Sequence, residues 1–192
     1  MRSTKGTLIC RERLDPDELV VAQGVPATSP ERGAFDAAGR AADLRAAVGV
    51  LDMALASRVV SRTTFCRYLA TRGRRPGVEQ VRHAFALAEE RTMSPAETVL
   101  RLIWLLDAGL PRPRCNWPLA DPAGRPLGKP DLLCEELAVV GEFDGAHHRS
   151  RERHRDDLRR DDGFRSVGLE PFRVVGADLR NLPLVLNRIT TA

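Results

Sequence analysis

A chain of 192 residues is long enough for one domain or two small ones, and its 43% apolar and 29% charged residues are ordinary for a folded soluble protein. No apolar run approaches the roughly 18 residues of a membrane span, and no secretory signal is visible at the N-terminus, so the expected compartment is the cytoplasm. The net charge is only +4, but between Arg58 and Arg82 there are seven arginines against one acid, Glu79, with Phe65 and Tyr68 interleaved. Cys10, Cys66, Cys115 and Cys134 lie far apart without metal-ligand spacing, which argues against a zinc module and for reduced, mostly buried thiols.

In chain order, residues 6–23 read as short β-like segments, Thr7 to Cys10 and Leu19 to Val21, separated by a turn at Asp15-Pro16 and ended by Gly24 and Pro26. Thr28-Ser29-Pro30-Glu31 predicts a helix start, with a hydroxyl cap and proline and an acid in the first turn; that helix runs to about Ala38. Leu44, Val48, Leu51 and Leu55 are at helical spacing and predict a second helix over about 41–56. A third covers about 62–71. Arg72-Gly-Arg74-Arg75-Pro-Gly77 is a basic turn, and a fourth helix covers about 78–90.

Ser94-Pro95-Ala96-Glu97 opens a fifth helix whose stripe is Val99, Leu102, Ile103 and Leu106 and whose end is Gly109. Then the period changes. Cys115 to Leu119, Leu127 to Leu133 and Leu137 to Phe143 read as strands, the first two joined by a turn at Asp121-Pro-Ala-Gly124. A charged helix over about 150–167, a strand over 171–175 and a last helix over 177–188 broken by Pro183 complete the chain. The expectation is a mostly helical region over 1–92, with its basic segment at 58–82, followed by an α-β-β-β-α-β unit over 93–192.

The acids of the second unit suggest chemistry. Glu142 and Asp144 alternate along one strand and therefore point the same way, with Phe143 opposite. If the strand near Asp131 pairs with theirs, three carboxylates converge. Mg²⁺, or Mn²⁺, is held by a few carboxylate oxygens together with waters and substrate phosphate, and such a site activates water toward a phosphodiester. His147, just past Gly145, is placed to relay a proton or steady a phosphate. Ser94 and Glu97 have the spacing of a capping box, which spacing alone does not separate from a metal role. Arg160 and Asp161 lie in the charged helix, whose spacing fits a solvated face.

Two resemblances follow from these residues. The segment from Ser94 to Leu179 resembles the nuclease-like domains related to very-short-patch mismatch repair endonucleases, within the PD-(D/E)xK superfamily. The matching features are Ser94-Pro-x-Glu97, Pro130-Asp131, Glu142-x-Asp144-Gly-x-His147, Arg160-Asp161, and Gly168 before Phe172-Arg173-Val174. The resemblance implies an α/β restriction-endonuclease-like core, a mixed sheet flanked by helices, and a metal-dependent endonuclease acting on DNA. It implies catalytic roles for Glu97, Asp131, Glu142, Asp144 and His147, with Mg²⁺ (or Mn²⁺) at Asp131, Glu142 and Asp144. The lysine of the superfamily's ExK element is absent; Asp144 stands at or beside its position. Arg72, Arg74, Arg75 and Arg160 are the candidate DNA contacts, since arginine–phosphate pairing gives sequence-independent affinity. Residues 1–60 resemble the later part of AbiE-type antitoxin-like proteins, through Leu19-Val-Val, Gly24-Val-Pro-Ala-Thr28-Ser-Pro-Glu-Arg32 and Phe35-Asp36. The alternative is a catalytically inactive, nucleic-acid-binding or antitoxin-like regulatory protein that retains the nuclease fold, with the charged helix and the basic segment doing the binding.

Overall fold

The structure is a computed structural model and describes residues 9–10, 12–145 and 151–192, with side chains from 159 onward in the last stretch. A 3-10 turn at Pro16–Glu18 leads into a hairpin of β1 (Leu19–Ala22) and β2 (Val25–Thr28), paired antiparallel with Val21 opposite Pro26. The sequence reading ended this strand at Gly24 and Pro26 and so missed β2. Gln23 and Gly24 both have positive φ, 51° and 80°, the tight-turn geometry whose twist matches a hairpin. Pro26 is tolerated because a two-stranded ribbon is all edge.

Four helices follow: α1 (Pro30–Gly39), α2 (Leu44–Ala56), α3 (Arg62–Thr71) and α4 (Val78–Leu87). The first three begin at side-chain caps, where Ser29, Asp43 and Ser61 accept the N–H groups of Arg32, Ala46 and Thr64. Their apolar faces meet around Phe35, Val48, Leu51, Phe65 and Val81, all at most 1% exposed; each large buried side chain contributes roughly 1.5–3 kcal/mol. The expected extension of α4 to Glu90 fails because Ala88 turns extended. The freed carbonyls of Leu87 and Ala88 accept instead from Arg112, and Leu87 also from Arg101, a basic closure of a helix C-terminus.

The chain then changes character. α5 (Pro95–Leu102) passes into a π-helical turn, Ile103–Asp107. That change of winding buries Leu100, Leu102, Ile103 and Trp104 and leaves Val99 and Leu106, two members of the expected stripe, 40% and 43% exposed. β3 (Arg114–Cys115), β4 (Leu119–Ala120), β5 (Pro126–Gly128), β6 (Leu132–Cys134) and β7 (Val139–Asp144) come next, then α6 (Arg151–Ser166), β8 (Glu170–Val175) and α7 (Leu182–Thr190). Two expected strands are each divided. Asn116, at φ 46°, separates β3 from β4. Gly128, at φ 127°, and Pro130 separate β5 from β6. Pro183 does not break the last helix but lies in its first turn, where its missing N–H is not needed.

The main sheet runs β3-β6-β7-β8, with the first two pairings antiparallel and β7/β8 parallel across the α6 connection. β4 and β5 form a separate hairpin. This is a mixed α/β architecture. One sheet face packs through Leu132, Phe172 and Val174 against Leu100, Trp104, Val185 and Ile189 of α5, the π turn and α7. The other carries Leu133 and Val140 under Phe164 of α6. Gly141 permits the first of these layers: a Cβ there would sit 2.4 Å from the Phe172 ring.

The two halves are joined by a buried ionic knot. Asp52 of α2 accepts Arg101 and Thr98 of α5, each at 2.7 Å, and the Glu89 N–H at 2.7 Å. Asp52 is 0% and Arg101 1% exposed. A chain boundary near residue 93 falls in the α4–α5 connection, but α5 packs on both cores. Of the cysteines, Cys115 and Cys134 are buried and Cys10 and Cys66 exposed, so only half of them follow the expectation. Burial pushes the Cys115 thiol up to about 12, which makes it inert.

Candidate functional site

Strand pairing brings the acids of the second half together. Leu132 pairs with Gly141, so Asp131 and Glu142 are the next pair along and share a face. Glu142 in turn pairs with Arg173 of the parallel strand β8. A row Asp131–Glu142–Arg173 thus crosses three strands on the side covered by α6, beyond the apolar layer of Leu133 and Val140. Asp144 follows Glu142 on the same side. With Lys129, Phe143 and Arg160, these residues line a pocket of about 160 Å³.

The hydrogen bonds define how each group is held. Asp131 Oδ2 accepts the Phe143 N–H at 2.6 Å. Glu142, its side chain 12% exposed, is gripped on both oxygens: Oε1 lies 2.8 Å from Arg160 and Oε2 2.9 Å from Arg173. Arg173 also donates to Asp161 at 3.1 Å, and Arg160 to the Lys129 carbonyl at 2.7 Å. Gly128 makes room for this last contact, since a Cβ there would lie 2.9 Å from Arg160 Nε. Burial pushes the Asp131 carboxyl up to about 6, helped by Glu97 and Glu142 and opposed by the Phe143 N–H and Arg160. Burial also raises Glu142, against the pull of Arg160 and Arg173.

Glu97 stands outside this lining. Its Oε2 accepts the Met93 N–H at 2.9 Å and Asn116 Nδ2 at 2.8 Å, while Ser94 Oγ accepts the Glu97 N–H. This is helix capping with the return bond one residue earlier than a capping box predicts. Its link to the pocket runs through Asn116, whose N–H approaches the Asp131 carbonyl at 3.4 Å. His147 lies outside the described residues.

Whether these groups suit a divalent cation is decided by which oxygens are open. One oxygen of Asp131 and both of Glu142 are engaged by protein donors. Among the described residues no cluster of three His, Cys, Asp or Glu side chains is arranged to hold a metal ion. As arranged, the pocket does not fit a resident Mg²⁺ or Mn²⁺; it is an acid pair neutralised by arginines.

The basic segment is divided. Arg72 donates to Asp15 and Asp17, both at 2.8 Å, and is 7% exposed. Arg75 pairs with Glu18 at 2.9 Å and Asp15 at 2.8 Å. These two hold the fold together with Arg32 and Tyr68, which donate to Glu18 at 3.0 and 2.6 Å. Arg74, with Arg58 and Arg67, is exposed. Sequence reasoning gave no role to Arg173. The available signal was an arginine alternating between Phe172 and Val174 on a strand beside the acids.

The fold and pocket define an α/β protein with a carboxylate–arginine site at the end of a mixed sheet. Residues 1–83 match the family described as AbiEi antitoxin C-terminal domain. No curated protein and no solved structure matches the chain. Among the described residues no helix is long and apolar enough to cross a membrane.

Proposed function

We propose that this chain is an antitoxin-like regulatory protein that binds DNA, its C-terminal half retaining a restriction-endonuclease-like fold. The observation that carries the reading is the double clamp on Glu142 by Arg160 and Arg173. The acid pair is neutralised from within, and guanidinium groups line the mouth where a phosphate would arrive. Guanidinium pairs phosphate in a bidentate fashion. The match of residues 1–83 to an antitoxin domain supports the regulatory role, and exposed Arg58, Arg67 and Arg74 supply further backbone contacts. The test is anisotropy of a labelled duplex titrated with the full chain at several salt concentrations. Binding should weaken steeply with salt, and changing Lys129 and Arg160 together to alanine should cost about tenfold. Salt-insensitive binding, or none, rejects the reading.

A second reading, a Mg²⁺-dependent endonuclease, is favoured by one observation: Asp131 and Glu142 are cross-strand neighbours facing one pocket. Plasmid nicking with Mg²⁺ or Mn²⁺, run beside Asp131→Ala, tests it. Equal activity in the two proteins, or none in either, removes it.

A further inference from the structure

Trp117, in the turn after β3, holds two cations over one ring. The Arg91 guanidinium lies 4.5 Å from the ring centroid and that of Arg114 4.7 Å. The indole is half-buried, seated on the apolar cluster of Leu133, Val140 and Phe164. Asn116 fixes the arrangement. Its left-handed backbone, φ 46°, turns the chain out of β3, and its Nδ2 donates to the Arg91 carbonyl at 2.9 Å and to Glu97 Oε2 at 2.8 Å. Asn116 and Glu97 thereby tie the segment carrying Arg91 to the one carrying Trp117. Both arginines are exposed. Arg91 has no ion pair among the described residues. Arg114 has a 3.4 Å contact with Glu135 in which the two side chains are 50% and 59% exposed, the kind of pair that contributes least and exchanges most readily.

We propose that Arg91 and Arg114, held against Trp117, form a backbone-phosphate site for DNA beside the Arg160–Arg173 pocket. Arg114 pairs with Leu133, which stands two residues beyond Asp131. Facing residues of an antiparallel pair share a side, so Arg114 lies on the sheet face that carries the pocket, roughly 7 Å further along it. A DNA backbone crossing the pocket has these two arginines next in line. Stacking lays a guanidinium flat against the ring and leaves its N–H edge pointing outward, the edge that pairs with phosphate oxygens. Side chains ordered before binding lose little freedom on binding. Trp117 is therefore a positioning residue, acting through the two arginines. The inference rests on the reading that this face binds DNA.

The experiment is anisotropy of a labelled duplex titrated with the full chain across a salt series, beside the double variant Arg91→Gln with Arg114→Gln. Losing two phosphate contacts should weaken binding about tenfold at low salt and flatten the slope of log affinity against log salt by about two. Trp117→Leu keeps both charges, so it should weaken binding while the slope stays near the wild-type value, and Trp117→Phe should restore most of the loss. Acrylamide quenching supplies a second measurement. The chain has two tryptophans and Trp104 is 1% exposed, so quenching reports Trp117, which the duplex should protect. A double variant that folds, by circular dichroism, and keeps the wild-type slope overturns the site while leaving the DNA reading in place. Quenching unchanged by saturating duplex, or Trp117→Leu binding as tightly as the wild type, does the same. If the double variant does not fold, the quenching result decides. A wild-type chain that fails to bind, or binds without regard to salt, rejects the DNA reading and this site with it.

Discussion

Glu18 in the helical half and Asp131 in the sheet half are both drawn out of water, yet they sit in opposite company. Glu18 is 0% exposed. It accepts Tyr68 and Arg75 on one oxygen and Arg32 and the Asp15 N–H on the other. Burial alone would raise it, but these donors outweigh burial and hold its carboxyl down to about 2. Asp131 has one backbone donor and acidic neighbours, and burial wins. Glu18 is thus a completed ionic joint tying the turn before β1 to α1, α3 and the basic loop. Asp131 is an under-compensated acid in a pocket that opens to solvent. The difference separates a carboxylate that builds the fold from one available to a ligand.

Removing the completed joint should have the largest consequence. Glu18→Ala leaves the 1%-exposed Arg32 without its buried partner and should lower the unfolding free energy by about 3–5 kcal/mol, as for other broken buried pairs. Denaturant titration at neutral pH reads this, and a loss below about 1 kcal/mol, the range of a surface pair, would break the comparison.

The sheet half should answer to packing rather than to charge. Gly141→Ala drives a methyl into the Phe172 ring, which stacks on Trp104. The expected cost is about 1–3 kcal/mol for an overpacked core, and near-UV circular dichroism should register the disturbed Trp104.

The smallest effect is the sharpest, because it carries a sign. Glu18 titrates lower in the folded state than its ordinary 4.5, so its stabilisation is complete above that value and is lost as pH falls toward about 2. Asp131 titrates higher than its ordinary 3.8. The folded protein binds the extra proton, and stability falls as pH rises from there through about 6. Asp131→Asn should therefore stabilise the protein at neutral pH and lose that advantage once both states are protonated. Thermal melts at neutral and acidic pH check it; a destabilised neutral-pH variant would contradict the assignment.

Much of the first half was legible in the sequence because its signals are local. Ser29-Pro30 starts a helix through a bond three residues away, and Leu44 to Leu55 repeats with the helical period. The strand carrying Glu142 and Asp144 and the turn at Asp121 to Gly124 were legible for the same reason. What failed depended on distant contacts or on backbone hand. β2 was hidden behind Gly24 and Pro26, α4 was shortened by arginines from later in the chain, and two strands were cut at left-handed Asn116 and Gly128. In the site, the convergence of Asp131 and Glu142 followed from period and pairing. The double clamp on Glu142 did not, because it depends on β8 lying parallel to β7 in one register and on which face of α6 turns inward. Arg72 and Arg75 looked like phosphate contacts, but their partners, Asp15, Asp17 and Glu18, are more than fifty residues earlier.

By itself the sequence determined where the first, third, fourth and fifth helices begin, which strand carries two acids on one side and that positive charge gathers between Arg58 and Arg82, since each of these is a matter of spacing along the chain. Only the tertiary structure decided which arginines are consumed by the fold and which face solvent, and that Glu142 is held by Arg160 and Arg173. Those outcomes are set by pairing between segments brought together through burial, and the strength of a charge depends on the company that burial gives it.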